Sequence, residues 1–439
     1  MAQDIYNNPA VTKSRAYLGA RVNYKPTLFD ELDQEQHRRK RKIIGSVINE
    51  RSMRTFEPTM SEQVDVFLRE LLSSSRRAEA VNMTARCQRL GADVVGHLAF
   101  GYPLKTQTEE SKRVIPRAIS LANARIAVYM AWPITSFAEQ PLRWLARKKA
   151  AKYYEAVQTM IHRRMAMGKD EKHDLYSAAA GAYDAGEDGL RGTELWSEAI
   201  FFINAGGTTT TTLMCAMFFY LARNPSAYSH LAMEIRSAFS SGSDICSGHQ
   251  LADCKYLRAV IDESLRISPP SVGTLWREQT ISCTDPLVVD GHIIPRGTSV
   301  AVNLYSLMHN AAYFPDPFSF CPERWLEAEG EGPAEREARA TARHAFAPFA
   351  LGDRGCAGKS MAYLEASLTL ARTIWYFDFE KAPGEPGKLG EGEEGRKDGR
   401  HRTDEFQLYD IVTADHDGPN LVFRPRGDYW NELDLDEGE

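Results

Sequence analysis

Phe349–Gly358 reads FALGDRGCAG and runs straight into Lys359–Trp375, KSMAYLEASLTLARTIW. The second half carries apolar residues at helical spacing, so the stretch predicts a glycine-punctuated loop entering an amphipathic helix. Cys356 falls at that junction. Backbone N–H groups and the positive end of the helix dipole favour a thiolate there, which suits ligation of a metal by one soft anionic sulfur. Gly352 and Gly358 permit a tight turn and close approach of backbone to a flat ligand. On residue physics alone, an inert buried thiol in a turn is the better account of the same stretch.

The chain around this loop has 439 residues, 43% of them hydrophobic, enough to bury a large core. A formal charge of -6 argues against a surface built for nucleic acid, so any basic patch is local. Seven cysteines form an odd set with no C-x-x-C pair, which excludes a regular disulfide framework or zinc site and fits a reducing, cytosol-facing compartment. The first thirty residues lack the apolar core of a signal peptide or membrane anchor. Ala199–Ala222 carries no charge and is long enough to span a bilayer, but Asn204, a Gly pair and five threonines interrupt it. It is read as a buried helix of a soluble protein, apolar all round because it is core.

Periodicity predicts helices over Asp33–Ile48, Met60–Leu72, Arg86–Leu98, Leu142–Met167, Leu195–Leu221, Tyr228–Phe239 and Tyr256–Ile267. Short β-prone runs follow at Leu287–Val289, Gly291–Ile294 and Ser299–Leu304, broken by turn residues as in hairpins. A final pair, Glu405–Thr413 and Asn420–Phe423, flanks a turn over Asp415–Pro419. Segments 327–343 and 381–403 are charged or Gly-rich and read as solvated insertions. No repeat or linker divides the chain, so residues 1–439 read as one domain.

Glu263 and Arg266, in DESLRIS, lie three apart on one helical face, a pair worth a few tenths of a kcal/mol if exposed. Arg324 lies downstream in DPFSFCPERW. In the uncharged helix, Ala205–Thr210 reads AGGTTT, and mid-helix threonines commonly bond their own backbone. Basic residues cluster at His37–Lys42, where His37 and Arg41 share a helical face; a nucleic-acid patch, a partner surface and a merely solvated face all suit such a run.

Phe349–Gly358 matches every fixed position of F-x-x-G-x-R-x-C-x-G, and through it the chain resembles the cytochrome P-450 superfamily from end to end. The resemblance implies a mainly α fold with small β-sheets (α+β), with Cys356 as axial thiolate of haem b iron, Phe349 shielding the sulfur and Arg354 pairing with a propionate. His37 and Arg41 match the ends of the family's W-x-x-x-R pattern, histidine replacing tryptophan, and Arg277 resembles a third propionate ligand. Glu263, Arg266 and Arg324 match its structural Glu-Arg-Arg network. Ala205–Thr210 resembles the oxygen-binding motif A-G-x-[D/E]-T-[T/S], with Gly206 letting the helix approach haem and Thr209 as hydroxyl donor. Thr208 replaces the usual acid, so a water relay is expected in its place. Phe201, Ala205, Val272 and Gly273 would border the substrate pocket, with plain core packing the other reading of Phe201.

The resemblance starts late, at Asp4-Ile5-Tyr6, which implies a fold lacking the N-terminal anchor, the first helix and the first sheet strands. An upstream anchor would place the protein on the endoplasmic reticulum membrane; as written the chain reads as soluble. The activity implied is monooxygenation of a small apolar organic molecule with dioxygen, with electrons from NADPH through NADPH-cytochrome P-450 reductase, cytochrome b5 as a further partner, and no nucleic acid. A role in fungal secondary metabolism follows from the same resemblance. Two alternatives stand beside it: an isomerase, dehydratase or peroxygenase needing no two-proton relay, motivated by Thr208, and an inactive truncated haem-binding protein.

Overall fold

The computed structural model describes residues 2–21, 23–168, 171–172, 174–179 and 192–434. Its longer helices are, in chain order, α1 (Gln34–Gly45), α2 (Glu50–Arg76), α3 (Met83–Phe100), α4 (Val114–Ala131), α5 (Glu139–Met165), α6 (Glu194–Leu221), α7 (Pro225–Ala238), α8 (Lys255–Ile267), α9 (Pro333–Ala345) and α10 (Lys359–Tyr376). The strands are short: β1 (Val11–Lys13), β2 (Val81–Asn82), β3 (Arg277–Gln279), β4 (Leu287–Val289), β5 (His292–Ile294), β6 (Phe377–Lys381), β7 (Tyr409–Ile411), β8 (Thr413–Asp415) and β9 (Asn420–Pro425). All pairings among them are antiparallel: β1 with β3, β4 with β5, β7 with β8, and β9 between β2 and β6.

Helix α6, which carries no charge from Ala199 onward, is the axis of the molecule. Every residue from Thr210 to Leu221 is buried, because α3, α8 and α10 pack around it. That is why the sequence tolerates apolar side chains on all its faces; among the described residues no helix is long and apolar enough to cross a membrane. Contact with α3 is close enough to select glycine. A Cβ added to Gly91 would stand 2.6 Å from the Gly207 carbonyl oxygen, and one on Gly206 would stand 2.7 Å from Val95 Cγ2.

Several elements differ from the expectations above. The helix expected over Met60–Leu72 is α2, which starts ten residues earlier and runs through Pro58. A proline there forfeits one backbone bond and crowds the previous turn; burial of Met53, Phe56, Met60 and Val64 on one side carries the helix through it. Ser299–Leu304 is not a strand. Only Val300 and Asn303 form isolated bridges, and Asn303 instead caps a short helix, Leu304–Met308, by accepting from the Ser306 amide at 2.8 Å. The two last runs do not pair with each other, since Tyr409–Ile411 turns back on β8 while Asn420–Pro425 joins β6.

The two segments expected to be solvated behave differently from each other. Pro333–Ala345 forms α9, exposed on its outer side but anchored through Arg343 to the Trp325 carbonyl at 2.7 Å. The start of 381–403 is held against the core, with Arg223 bonding Glu391 and the Gly387 carbonyl, each at 2.9 Å. Residues 393–399 are exposed.

Candidate functional site

The Phe349–Gly358 loop is locked from within and from outside. The Cys356 amide donates to the Phe349 carbonyl at 2.8 Å and Gly355 to Gly352 at 2.9 Å. Gly352 takes a φ of +70°, and a side chain there would run into the Tyr6 carbonyl, so this glycine serves the approach of the N-terminal segment. Gly358 meets no comparable demand: a Cβ would lie 3.9 Å from Cys356 Sγ, an ordinary contact. Phe349 packs its ring on Tyr363 at 5.4 Å.

Cys356 precedes α10 by three residues and is exposed. Even so, protein crowds its sulfur closely enough that burial pushes the thiol up, against the Gly358 amide and the Arg41 charge, which pull it down. The helix-terminus effect expected from sequence is therefore present but outweighed. The thiolate needs a further positive partner, which a metal ion supplies.

Around the loop the structure gathers cations from distant segments. Antiparallel pairing of β1 with β3 sets Lys13 opposite Arg277, α1 brings His37 and Arg41, and the loop brings Arg354. His37 is 3% exposed, and its imidazole is pushed down to about 2, by burial first and then by Lys13, Arg354, Arg41 and Arg277. Lys13, which the sequence reading did not single out, is also buried and depressed, and donates to the carbonyls of Leu28 at 2.9 Å and Phe29 at 2.6 Å. Like charges converging on a buried imidazole, beside a cavity of about 300 Å³ lined in part by His37, Arg277 and Arg354, are the electrostatics of an anion site. The donor set fits a flat cofactor with a metal centre and paired carboxylates: one cysteine sulfur, several buried cations, and half-exposed apolar walls.

The arginines divide their labour unevenly. Arg354 donates to the carbonyls of Glu31 at 2.9 Å and Leu32 at 3.2 Å, and to Thr12 Oγ1 at 3.0 Å. Arg277 donates to the carbonyls of Leu275 and Trp276, both at 3.1 Å. Arg41, expected to face a carboxylate, turns its guanidinium to the loop itself, bonding the carbonyls of Gly355 and Cys356.

On α6, all five threonines bond the carbonyl one turn back. Thr208 donates to Asn204 at 2.7 Å, Thr209 to Ala205 at 2.7 Å and Thr210 to Gly206 at 2.9 Å. The helix nevertheless continues unbroken through them, without the interruption that back-bonding threonines can cause. Gly206, read as making room for a ligand, has its smallness demanded on the opposite count by Val95 of α3. Phe201, Ala205 and Thr209 share a half-exposed face, and Phe201 also stacks on Phe29 at 5.9 Å. Val272 and Gly273 are half-exposed as well. A carboxylate that the sequence reading missed, Asp410 of β7, lies against Gly273 at the rim of a pocket read as apolar.

Glu263, wholly buried, accepts five hydrogen bonds: two from Arg266 at 2.8 and 2.9 Å, and one each from Arg324 at 3.0 Å, Trp325 Nε1 at 2.9 Å and the Cys321 amide at 3.0 Å. Trp325 and the amide were not legible in the E-x-x-R spacing. This is a braced scaffold, with none of its members in the cation cluster.

A family model described as cytochrome P-450 matches residues 10–394. A cytochrome P-450 monooxygenase of Gibberella zeae is 30% identical over 96% of this chain and 97% of its own length. Cytochrome P-450 monooxygenase AKT7 of Alternaria alternata is 32% identical over 95% of this chain and 81% of its own. Among solved structures, the haem domain of cytochrome P-450DA superposes with a TM-score of 0.74 at 18% identity, covering 96% of this chain and 85% of that one, a likeness of fold.

Proposed function

Because this chain belongs to the cytochrome P-450 family and is a haem-thiolate monooxygenase, we propose that Cys356 is its axial ligand and that it inserts one oxygen atom from dioxygen into a small apolar organic substrate. When bound, haem with a thiolate ligand supplies the activation of dioxygen, since the sulfur pushes electron density toward O–O cleavage. The remaining work falls to the protein. Arg277 and Arg354 would neutralise the propionates, with the neutral His37 imidazole and Lys13 beside them, and Arg41 holds the cysteine loop in register with α1. Phe349 shields the sulfur. Thr209 would present to the bound group a hydroxyl whose proton is parked on the Ala205 carbonyl. Phe201, Ala205, Val272 and Gly273 border the substrate, with Asp410 favouring a substrate that has a polar group at one end.

Electrons reach the site from NADPH through a flavoprotein reductase, with cytochrome b5 as a second donor. The protein faces the cytosol as a single domain, at the endoplasmic reticulum membrane if an upstream anchor holds it there, and works in secondary metabolism. Exposed Trp132, Ile134, Phe137 and Trp144, which are 61 to 81% accessible between α4 and the first turns of α5, support contact with an apolar surface.

One observation carries the reading: the cysteine loop and the buried cation cluster are joined through Arg41. The reduced, carbon monoxide-bound spectrum tests it. Wild-type protein should show the red-shifted thiolate Soret band and Cys356→Ser should lose it; a band retained in the variant would overturn the assignment. Turnover that runs on peroxide and is indifferent to NADPH and reductase would favour a peroxygenase instead, the reading that Thr208 motivates.

A further inference from the structure

Thr208 stands where the motif it resembles carries an acid, and the fold builds a polar cavity directly against it. The cavity offers about 10 Å³ to the centre of a water-sized sphere, room for one water. Thr208 and Thr211 of α6 form one wall, Gln88 of α3 and Asn123 of α4 two others, and Asp415 and His416 close it from the β8 side.

That last wall is pinned in place. Asn123 Nδ2 donates to Thr413 Oγ1 at 2.9 Å, and Thr212 Oγ1 reaches the Ala414 carbonyl at 3.3 Å. Thr84 Oγ1 gives its proton to the Gly418 carbonyl at 2.8 Å, so the His416 nitrogen facing it, Nδ1 at 2.8 Å, carries the ring hydrogen. Nε2, without the ring hydrogen, faces Thr212 Oγ1 at 3.2 Å. His416 is neutral, its imidazole pushed down to about 4 by burial, and serves as a strut. Asp415 is exposed at the outer end, where partial burial and neighbouring Asp417 push its carboxyl up from the ordinary value, against the His416 amide, which pulls it down. The walls from α3, α4 and α6 add no charged group.

We propose that this cavity holds one water through which protons pass from the Asp415 carboxyl to the Thr208 hydroxyl, replacing the acid that α6 lacks. Asp415 gives a proton to the water, and the water gives one of its own to Thr208 Oγ1. The hydroxyl passes the hydrogen now held on the Asn204 carbonyl to a solvent water on the Thr209 face, where the monooxygenase reaction takes up the proton, and solvent reprotonates Asp415. No electrons move and no further reactant is consumed. Asp415 is thus a positioning residue that acts through water and Thr208, and the inference rests on the monooxygenase reading above.

Asp415→Asn keeps the size of the side chain and removes the transferable proton. With a substrate turned over by the wild-type protein, product formation is expected to fall roughly a hundredfold, the ordinary worth of one positioned proton donor. NADPH consumption should continue, with hydrogen peroxide making up the balance. Thr208→Asp places an acid on α6 itself, so the double variant should recover coupling, which a structural defect would not. Independently of turnover, a high-resolution crystal structure of the resting ferric protein should show one water bonded to Thr208 Oγ1. Unchanged coupling in Asp415→Asn, no rescue by Thr208→Asp, or a dry cavity overturns the proposal. Absence of the thiolate-type spectrum from the wild-type protein would instead sink the reading beneath it, so the two failures are distinguishable.

Discussion

Arg41 Nη2 donates to the carbonyl oxygen of Cys356 at 3.2 Å, while its Nη1 bonds the neighbouring Gly355 carbonyl. A guanidinium that spans two successive carbonyls fixes the rotation of the peptide carrying the sulfur. Arg41→Ala removes both charge-assisted bonds, a loss of about 2 kcal/mol where the groups are partly buried. The expected outcome is a folded protein in which a larger share of the reduced carbon monoxide complex lacks the thiolate band. Arg41→Lys should recover little, because a point charge cannot reach both carbonyls. A spectrum identical to wild type for Arg41→Ala would refute the bracing role.

Glu263 predicts a graded series. Arg266→Ala strands a buried carboxylate and should cost about 3–5 kcal/mol, a large part of the roughly 5–15 kcal/mol that holds a typical domain together. Arg324→Ala leaves the two Arg266 bonds intact and should cost about 1–3 kcal/mol. Denaturant midpoints, or the yield of folded protein if Arg266→Ala does not accumulate, give the order. Equal losses in the two variants would mean that the arginines are not acting through Glu263.

Where α3 crosses α6, Gly91→Ala presses a methyl group onto the Gly207 carbonyl, a backbone atom that cannot rotate away. Overpacking of this kind costs about 1–3 kcal/mol. Gly206→Ala presses on the Val95 side chain and should cost less, since a side chain can yield. Thermal unfolding of both variants decides it, and a Gly206→Ala loss exceeding that of Gly91→Ala would reverse the assignment.

Much of this architecture was legible because burial leaves a periodic mark. The helix expected over Tyr256–Ile267 is α8 within one residue, and Leu195–Leu221 is α6. Helix α4 went unread, although Ile115, Ile119, Ile126 and Tyr129 trace its buried stripe and Pro116 sits in its first turn, where no bond is lost. The cysteine loop was readable as a motif, since its function is local. Lys13 was not: its burial depends on pairing with Arg277, 264 positions away, which no local pattern announces. The cavity at Thr208 escaped for the same reason, its walls coming from α3, α4, α6 and the β8 edge.

Glu365 of α10 makes the last prediction, and its sign is unusual for an acid. It is fully buried, neither carboxyl oxygen has a hydrogen-bond partner among the described residues, and burial pushes its pKa up to about 8. The Thr210 hydroxyl, already donating to Gly206 at 2.9 Å, offsets this only in part. The folded protein therefore binds a proton that the unfolded chain, with its ordinary carboxyl near 4.5, has released. Stability falls as pH rises wherever the folded state holds more protons. This contribution is intact below about 4.5, is lost progressively as pH climbs toward about 8, and stays lost above that. Glu365→Gln mimics the protonated side chain and cannot ionise, so its melting temperature relative to wild type should rise steadily between pH 5 and 8, conditions spanning that window. A difference that stayed flat across the range would mean Glu365 titrates normally in the fold, which its burial against α6 makes costly.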